Sequence, residues 1–344
     1  MRHAKALVLF ATLVLGASPA LAQSPLREAW KEPLGPARNA DLQVCVSVGP
    51  RVLVLDVAGG VTALDPATGN LQWFVQMPGS VSMLPSDGGA IALASGTTII
   101  VVDGPSGRRL FETTSAMAPA TSPCSDGRVL FVPALLDDTL VAWDMRGGGI
   151  AWEFHMPAPH AGPALLCGPE GSRSVLLPGE DGVLRAIPAQ LDVPRTERWS
   201  QRLGLVVGVP LVVGPTVIVG TLDRAVVALD AGSGVVKWRR RTGEAPRTSP
   251  VAVGKGFAIG TTGKLLMLSQ ETGEILWEQP STDRPLGDVA GGMLVRHGAG
   301  GCGLLDASTG RTLAEHLPGS SIAVAGWLIE LRGGTDVAGW KPNR

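Results

Sequence analysis

An eleven-residue pattern that returns along the chain constrains the fold more than any other feature of the sequence. Residues 63–73 read Ala-Leu-Asp-Pro-Ala-Thr-Gly-Asn-Leu-Gln-Trp, and residues 228–238 read Ala-Leu-Asp-Ala-Gly-Ser-Gly-Val-Val-Lys-Trp. Residues 267–277 keep the frame with Ser in place of Asp, and residues 142–152 keep it with Gly147 at the Thr position. Self-similarity at a fixed period is the signature of a repeat architecture. The chain is therefore predicted to consist of copies of one structural unit.

Three weaker copies extend the series. The copy that contains Asp103 ends in Phe111, and the copy that contains Asp306 ends in Ala314. The copy that ends in Trp199 is stretched by three residues. The spacing between successive end positions averages about 41 residues, within the range of propeller repeats. The end positions are Trp30, Trp73, Phe111, Trp152, Trp199, Trp238, Trp277 and Ala314.

Each part of the pattern favours a turn between two short strands. The apolar residues before the Asp predict a buried strand, and the Asp carboxylate can accept hydrogen bonds from backbone N–H groups two residues on. Gly supplies a positive φ angle at the end of the turn, and Trp offers a large apolar face with one N–H donor. Two more short strands precede each pattern, so the unit is predicted to be four antiparallel strands. The 46 Gly and 27 Pro among 344 residues suit such short strands and tight turns better than long helices.

The N-terminal and C-terminal segments together supply the strands of one blade. Trp30 is an end position without preceding strands, whereas three strand-like segments, residues 321–325, 327–331 and 335–340, follow Ala314. We therefore predict an eight-bladed β-propeller of four-stranded antiparallel blades, closed by pairing of the N-terminal strand with the C-terminal blade. The repeated Trp is expected to pack between neighbouring blades and to donate to a backbone carbonyl there. A seven-bladed ring is the alternative, because two units lack the Trp.

The first 22 residues have the features of a secretory signal peptide. Arg2 and Lys5 precede an uncharged apolar run, residues 6–16, and Ala20-Leu21-Ala22 provides a small-x-small cleavage site. The run is shorter than the ~20 residues of a membrane-spanning helix, and the cleavage site has no adjacent Cys for a lipid anchor. The expected organisation is a signal peptide, residues 1–22, followed by a single propeller domain, residues 23–344, in the periplasm or the medium.

Composition excludes two classes of protein. With 45% hydrophobic residues and 17% charged residues, the chain is not of the intrinsically disordered class. The net charge of −1 provides no positive field to attract nucleic acid.

Export makes disulfides possible for four widely spaced cysteines, and free buried thiols are the alternative. These cysteines are Cys45, Cys124, Cys167 and Cys302.

The pattern Ala-x-Asp-x-x-[Thr/Ser]-Gly-x-x-x-Trp resembles the tryptophan-docking repeat of the pyrroloquinoline-quinone (PQQ) family of β-propellers. The resemblance extends from Trp30 to Trp340. Two branches of that family are relevant: dehydrogenases that bind PQQ and calcium, and the cofactor-free BamB-like scaffold branch. Dehydrogenases of the family carry adjacent cysteines and Asn ligands for calcium, whereas this chain has no adjacent cysteines and only three Asn. The last repeat, with Ala314 in place of Trp, is similar to the corresponding repeat of the scaffold branch.

The resemblance to the scaffold branch implies a non-enzymatic, monomeric envelope protein that binds a protein partner, with no cofactor and no catalytic or metal-binding residues. The partner-binding loop of that branch carries a Leu-Arg pair and corresponds to Phe154–Pro163, where this chain has neither residue. The partner's identity is therefore left open. The alternatives are a PQQ- and calcium-dependent enzyme or small-ligand binder that uses the central channel, and a structural protein of the cell surface.

Two further groups of residues are candidate sites. His155 and His160 share one loop and could contribute to a metal site, although two loop histidines without further ligands are the simpler interpretation. Residues 237–241, Lys-Trp-Arg-Arg-Arg, form the strongest charge run. On an outermost strand such charges discourage edge-to-edge pairing, and a patch for an anionic partner is the alternative.

Overall fold

The computed structural model is a ring of eight antiparallel sheets, and the described residues contain 31 strands and no helix. The predicted eight-bladed β-propeller is thereby confirmed. Blades are numbered below in chain order. The structure describes residues 26–34, 42–48, 51–79, 81, 89–116, 118–134, 138–192, 196–289, 291–298, 300–317, 321–332 and 336–342.

The strands of the first four blades have the following bounds. Blade 1 contains β2 (Leu42–Val48), β3 (Arg51–Asp56), β4 (Gly60–Leu64) and β5 (Leu71–Gln76). Within the described residues, blade 2 contains β6 (Ala90–Ser95), β7 (Thr98–Asp103) and β8 (Arg109–Thr114). Blade 3 contains β9 (Cys124–Ser125), β10 (Val129–Pro133), β11 (Thr139–Asp144) and β12 (Gly149–His155). Blade 4 contains β13 (Leu165–Cys167), β14 (Ser174–Pro178), β15 (Val183–Pro188) and β16 (Trp199–Arg202).

The second half of the ring repeats this arrangement. Blade 5 contains β17 (Val206–Val213), β18 (Thr216–Thr221), β19 (Ala225–Asp230) and β20 (Val236–Arg241). Blade 6 contains β21 (Val251–Val253), β22 (Gly256–Gly260), β23 (Lys264–Ser269) and β24 (Ile275–Pro280). Blade 7 contains β25 (Arg284–Val289), β26 (Gly292–Arg296), β27 (Cys302–Asp306) and β28 (Thr312–Leu317). Blade 8 contains β29 (Ser321–Val324), β30 (Trp327–Arg332), β31 (Asp336–Pro342) and β1 (Leu26–Pro33).

The N-terminal strand closes the ring, as the sequence predicts. Strand β1 pairs antiparallel with β31, from Leu26 opposite Pro342 to Pro33 opposite Asp336. Two ion pairs hold this junction. Lys31 Nζ lies 2.5 Å from Asp336 Oδ2, and Arg332 Nη1 lies 2.7 Å from Glu28 Oε2. Segments from both ends of the chain thus form one four-stranded sheet, and β1 supplies the outermost strand of blade 8.

The repeated Trp residues join each blade to the next. The indole N–H donates to the carbonyl oxygen of the residue that follows the repeat Asp or Ser of the next blade. Burying each indole contributes roughly 2–3 kcal/mol. The Trp therefore stabilises the junction through both its apolar contacts and its hydrogen bond. The five bonds are Trp30 to Pro66 (3.0 Å), Trp73 to Gly104 (2.8 Å), Trp199 to Ala231 (3.0 Å), Trp238 to Gln270 (3.2 Å) and Trp277 to Ala307 (2.9 Å).

Three junctions depart from this rule, and at the junction of blades 7 and 8 the position of the Trp is occupied by Ala314. Phe111 replaces Trp in blade 2 and packs instead against Trp143 of blade 3, with ring centroids 6.4 Å apart. Trp152 of blade 3 is buried, but its Nε1 has no hydrogen-bond partner among the described residues. The reason is that the stretched connection before Trp199 replaces the regular repeat turn that would supply the acceptor.

The order of strands defines two faces. In the seven blades with four described strands, the first strand forms the inner edge, and first strands of neighbouring blades, such as β21 and β25, contact each other around the axis. Because successive strands run in opposite directions, the loops between blades and the turns between second and third strands lie on one face, here called the upper face. The repeat turns lie on the opposite, lower face.

Some predictions concern residues outside this description. The signal peptide, residues 1–22, and the side chain of Cys45 lie outside the described residues. Cys124, Cys167 and Cys302 are buried, Cys167 and Cys302 are free thiols, and burial raises the pKa of Cys167 to about 11. Within the described ranges, no helix has the length and apolar character that crossing a membrane requires.

Candidate interaction surface

An exposed apolar patch lies on the upper face of blade 5. Leu205, Val209 and Leu222 are 41%, 38% and 52% exposed. The N–H of Leu222 donates to the carbonyl oxygen of Leu205 at 2.9 Å, which sets these two side chains at the same end of the blade. We call these three residues the apolar patch. Exposed apolar groups that cluster, rather than stand singly, mark binding surfaces.

A bulge in the innermost strand creates part of this patch. The register of β17 on β18 passes from Val207 opposite Gly220 to Leu211 opposite Ile218, so three residues face one. Gly208 has a φ angle of +67°, and a Cβ at this position would lie 2.5 Å from Ser249 Oγ. The N–H of Val209 donates to the same Ser249 Oγ at 2.9 Å. The bulge therefore requires Gly and turns the Val209 side chain towards solvent.

The loop Phe154–Pro163, which the resemblance marks as the place of a partner-binding loop, lies beside the patch. It is held to blade 4 by bonds from the Ala161 N–H to the Pro178 carbonyl (2.8 Å) and from the Glu180 N–H to the Pro159 carbonyl (2.9 Å). A Cβ on Gly162 would lie 3.7 Å from the carbonyl oxygen of Gly208 in the bulge. Loop and patch thus form one continuous surface.

The two histidines of this loop are engaged separately. His155 Nδ1 lies 2.7 Å from Thr139 Oγ1 of the adjacent strand, and His160 forms an isolated bridge with Gly179 of blade 4. Across the described residues, no group of three or more His, Cys, Asp or Glu side chains is placed to hold a metal ion. The sequence prediction that the chain has no catalytic, cofactor or metal residues stays a prediction.

A cleft of about 450 Å³ opens on the upper face between blades 6 and 7. The Thr261 hydroxyl donates to Glu244 Oε2 at 2.8 Å, and the Thr248 hydroxyl accepts from the Gly260 N–H at 2.9 Å. The side chains of Thr262 and Thr282 are exposed. We call this the arginine cleft, after its two cationic residues. It is lined by Arg247, Thr248, Thr261, Thr262, Thr282 and Arg284.

The carboxylates near the arginine cleft are committed to other groups. Glu244 accepts from the Thr261 hydroxyl and from the Gly263 N–H, and these bonds hold its pKa below the usual value. Asp283 Oδ2 lies 3.1 Å from His297 Nδ1. None of the described residues forms an ion pair with Arg247 or Arg284. Both guanidinium groups of the cleft are therefore left without an ion-pair partner among the described residues.

The charge run of residues 237–241 lies on β20, the outermost strand of blade 5. Lys237 Nζ donates to the Pro215 carbonyl at 3.0 Å, Arg239 pairs with Asp223, and the Arg240 Nε donates to the Gly273 carbonyl at 2.8 Å. Three of its four cations are thus held by the propeller itself. This placement supports the structural interpretation of the run.

Sequence reasoning missed the apolar patch and the arginine cleft. Residues 205–213 form an apolar run, of which the sequence predicts only Leu211–Val213 as a strand, and only Gly208 and Pro210 hint at the bulge. Arg247 and Arg284 are 37 positions apart in the chain, and only the packing of neighbouring blades brings them to one cleft.

Comparison with known proteins shows which family the chain resembles. The family model described as outer membrane protein assembly factor BamB matches residues 27–125, 57–187 and 189–325. The protein of that name from Burkholderia pseudomallei (strain K96243) is 25% identical over 248 residues, covering 67% of this chain and 64% of that protein. The Yersinia pestis protein of that name is 24% identical over 263 residues, with the same two coverages. The chain thus matches less than two thirds of the length of these relatives.

The fold agrees with a solved structure. The crystal structure of BamB from Moraxella catarrhalis superposes with a TM-score of 0.68 at 16% identity, covering 92% of this chain and 99% of that chain. At this identity the likeness concerns the fold alone.

Proposed function

The chain belongs to the outer membrane protein assembly factor BamB family, and from this premise we propose that it is a non-enzymatic scaffold of the cell envelope. Its upper face binds a protein component of the machinery that assembles outer-membrane proteins. The mature domain, residues 23–344, acts in the periplasm after removal of the signal peptide, residues 1–22.

The apolar patch is the observation that carries this proposal. Val209 is exposed on a bulge that a Gly with positive φ and a bond to Ser249 hold in place. A bulge fixed in this way positions a side chain without contributing to the core, which is typical of a binding feature. Burying each of the three half-exposed side chains under a partner contributes roughly 1 kcal/mol. The patch is continuous with the loop Phe154–Pro163, so the docking area extends across blades 4 and 5.

Affinity capture from envelope extracts tests the proposal. We expect the wild-type protein to retain a component of the outer-membrane protein assembly machinery, identified by mass spectrometry. The double variant Val209→Ser/Leu222→Ser should lose that component, because polar side chains remove the apolar contact.

The matched control is Leu71→Ser/Leu276→Ser, which changes two equally exposed leucines at the lower ends of outer strands. This control should retain the partner, and all variants should melt within a few degrees of the wild type. Capture of no assembly component by the wild type, or equal loss in both double variants, would refute the proposal.

A further inference from the structure

Two Arg residues with no ion pair in the described structure face one cleft a short distance from the apolar patch. Arg247 belongs to the loop that connects blades 5 and 6, and Arg284 begins the inner strand of blade 7. Guanidinium groups bind carboxylates through two parallel N–H···O bonds. The exposed hydroxyls of Thr262 and Thr282 add hydrogen-bond donors to the same cleft.

The register of blade 7 places a further cationic residue, Arg296, next to Arg284. Arg284 lies directly opposite Arg296 in the pairing of β25 with β26, so both side chains leave the same face of the sheet. Like charges at directly opposed positions destabilise a sheet. Arg296 Nη2 lies 3.4 Å from the Ser321 carbonyl, and its buried Nε has no hydrogen-bond partner among the described residues. The Arg296 guanidinium contacts blade 8 and does not line the cleft, which leaves Arg247 and Arg284 as the two cationic residues of the cleft.

One loop connects the cleft to the apolar patch. Ser249 Oγ accepts from the Val209 N–H, and Arg247 lies two residues before Ser249, so their Cα atoms are within about 8 Å. An extended peptide advances about 3.3 Å per residue. A ligand that covers the patch therefore reaches the cleft with three or four further residues.

We propose that the upper face binds an extended peptide segment of the partner in which carboxylates follow apolar side chains by three or four residues. The apolar side chains pack on Leu205, Val209 and Leu222, and the carboxylates bind Arg247 and Arg284. This assignment rests on the proposed function, since it specifies the chemistry of the partner at the same face. The Arg side chains are exposed, so binding weakens as salt screens the ion pairs.

A labelled peptide tests the assignment directly. The probe is fluorescein-labelled Leu-Val-Gly-Ser-Asp-Asp, measured by fluorescence anisotropy with the full mature chain at about 50 mM salt. We expect saturable binding that weakens at least tenfold in Arg247→Ser/Arg284→Ser and at least tenfold when both Asp of the peptide are replaced by Lys. The control variant Arg146→Ser/Arg311→Ser removes the same charge from two exposed Arg in repeat turns of the lower face, and it should bind as the wild type does.

Other outcomes overturn the assignment. Equal binding by the two double variants would show that Arg247 and Arg284 do not hold the carboxylates. If millimolar inorganic phosphate displaces the peptide, the cleft is a site for a small anion. If the wild type but not Arg247→Ser/Arg284→Ser sediments with phosphatidylglycerol vesicles, the cleft binds a lipid surface. Each of these results refutes a peptide occupant.

The capture experiment separates this inference from the proposed function. If Arg247→Ser/Arg284→Ser still retains the assembly component as the wild type does, the peptide chemistry is wrong and the scaffold function stands. If the wild type retains no such component, the scaffold function itself fails, whatever the peptide does.

Discussion

The indole of Trp238 lies directly against Gly273 of the next blade, where a Cβ would approach the Trp238 Cε3 atom to 2.4 Å. Gly273 also has a φ angle of +67°. The repeat Gly is therefore required twice, once by the turn and once by the neighbouring indole. The same contact recurs between Gly107 and Trp73, also at 2.4 Å. The sequence pattern therefore reflects a contact between neighbouring blades as well as the turn within each blade.

Replacement of this Gly should reveal both requirements. Gly273→Ala is expected to lower the free energy of unfolding by about 2–5 kcal/mol, since the positive φ costs an L-residue about 1–2 kcal/mol and the clash with the indole costs about 1–3 kcal/mol. Gly148→Ala is the control, because Gly148 occupies the same repeat position with φ +72° but nothing lies within 4 Å of its Cβ. In denaturant unfolding, Gly148→Ala should show only the loss of about 1–2 kcal/mol that the positive φ causes. Equal losses in the two variants would exclude the indole contact as a cause.

The indole hydrogen bond can be measured by comparing two buried Trp residues. Trp199 donates to Ala231 at 3.0 Å, whereas the Trp152 Nε1 has no partner among the described residues. Trp199→Phe and Trp152→Phe remove similar apolar volume, but only the first removes an N–H that donates to a carbonyl oxygen. We expect Trp199→Phe to cost about 1 kcal/mol more than Trp152→Phe in denaturant unfolding. A larger loss in Trp152→Phe would contradict this role of the N–H group.

The repeat aspartates predict a loss of stability in acid. Hydrogen bonds from Ser308 and Thr309 lower the pKa of Asp306 to about 2, from 3.8 in an unfolded chain. The pKa of Asp230 is lowered in the same way by Ser233. A lowered folded-state pKa contributes stability that is present above the unfolded value and is lost as the pH falls through the folded value. Stability should therefore decline as the pH falls from about 4 to about 2.

Unfolding measured across this range, with Asp306→Asn for comparison, checks the assignment. The variant has no carboxylate to titrate at that turn, so its stability should decline less steeply than that of the wild type. Identical pH profiles for the two proteins would show that this turn does not contribute.

Addition of PQQ and calcium tests the enzymatic alternative. Calcium sites use six to eight oxygens, mostly from carboxylates and amides, and the sequence has only three Asn and no adjacent cysteines of the dehydrogenase kind. We predict no shift in melting temperature and no change in the absorbance spectrum of PQQ when both are added to the mature chain. A saturable shift of several degrees would favour the cofactor-binding alternative.

Much of the fold could be predicted because the repeat carries it. The spacing from Trp30 to Ala314 fixes the number of blades, and Trp30 without preceding strands requires a partner at the other end of the chain. The surface could not be predicted in this way. Val209 lies in an apolar run two residues before the predicted strand Leu211–Val213, and its exposure depends on a bulge held by Ser249, forty residues away. The arginine cleft likewise depends on packing between blades, for which no local pattern exists.

Site-specific photo-cross-linking tests the central claim most directly, because it reports which face of the propeller contacts its partner in the cell. A photoreactive amino acid is placed at Leu222 on the upper face or at Leu276 near the lower face, two positions of similar exposure (52% and 55%). Our account predicts an adduct with a component of the outer-membrane protein assembly machinery from position 222 and none from position 276. An adduct with that component from position 276 alone, or from neither position, would contradict it.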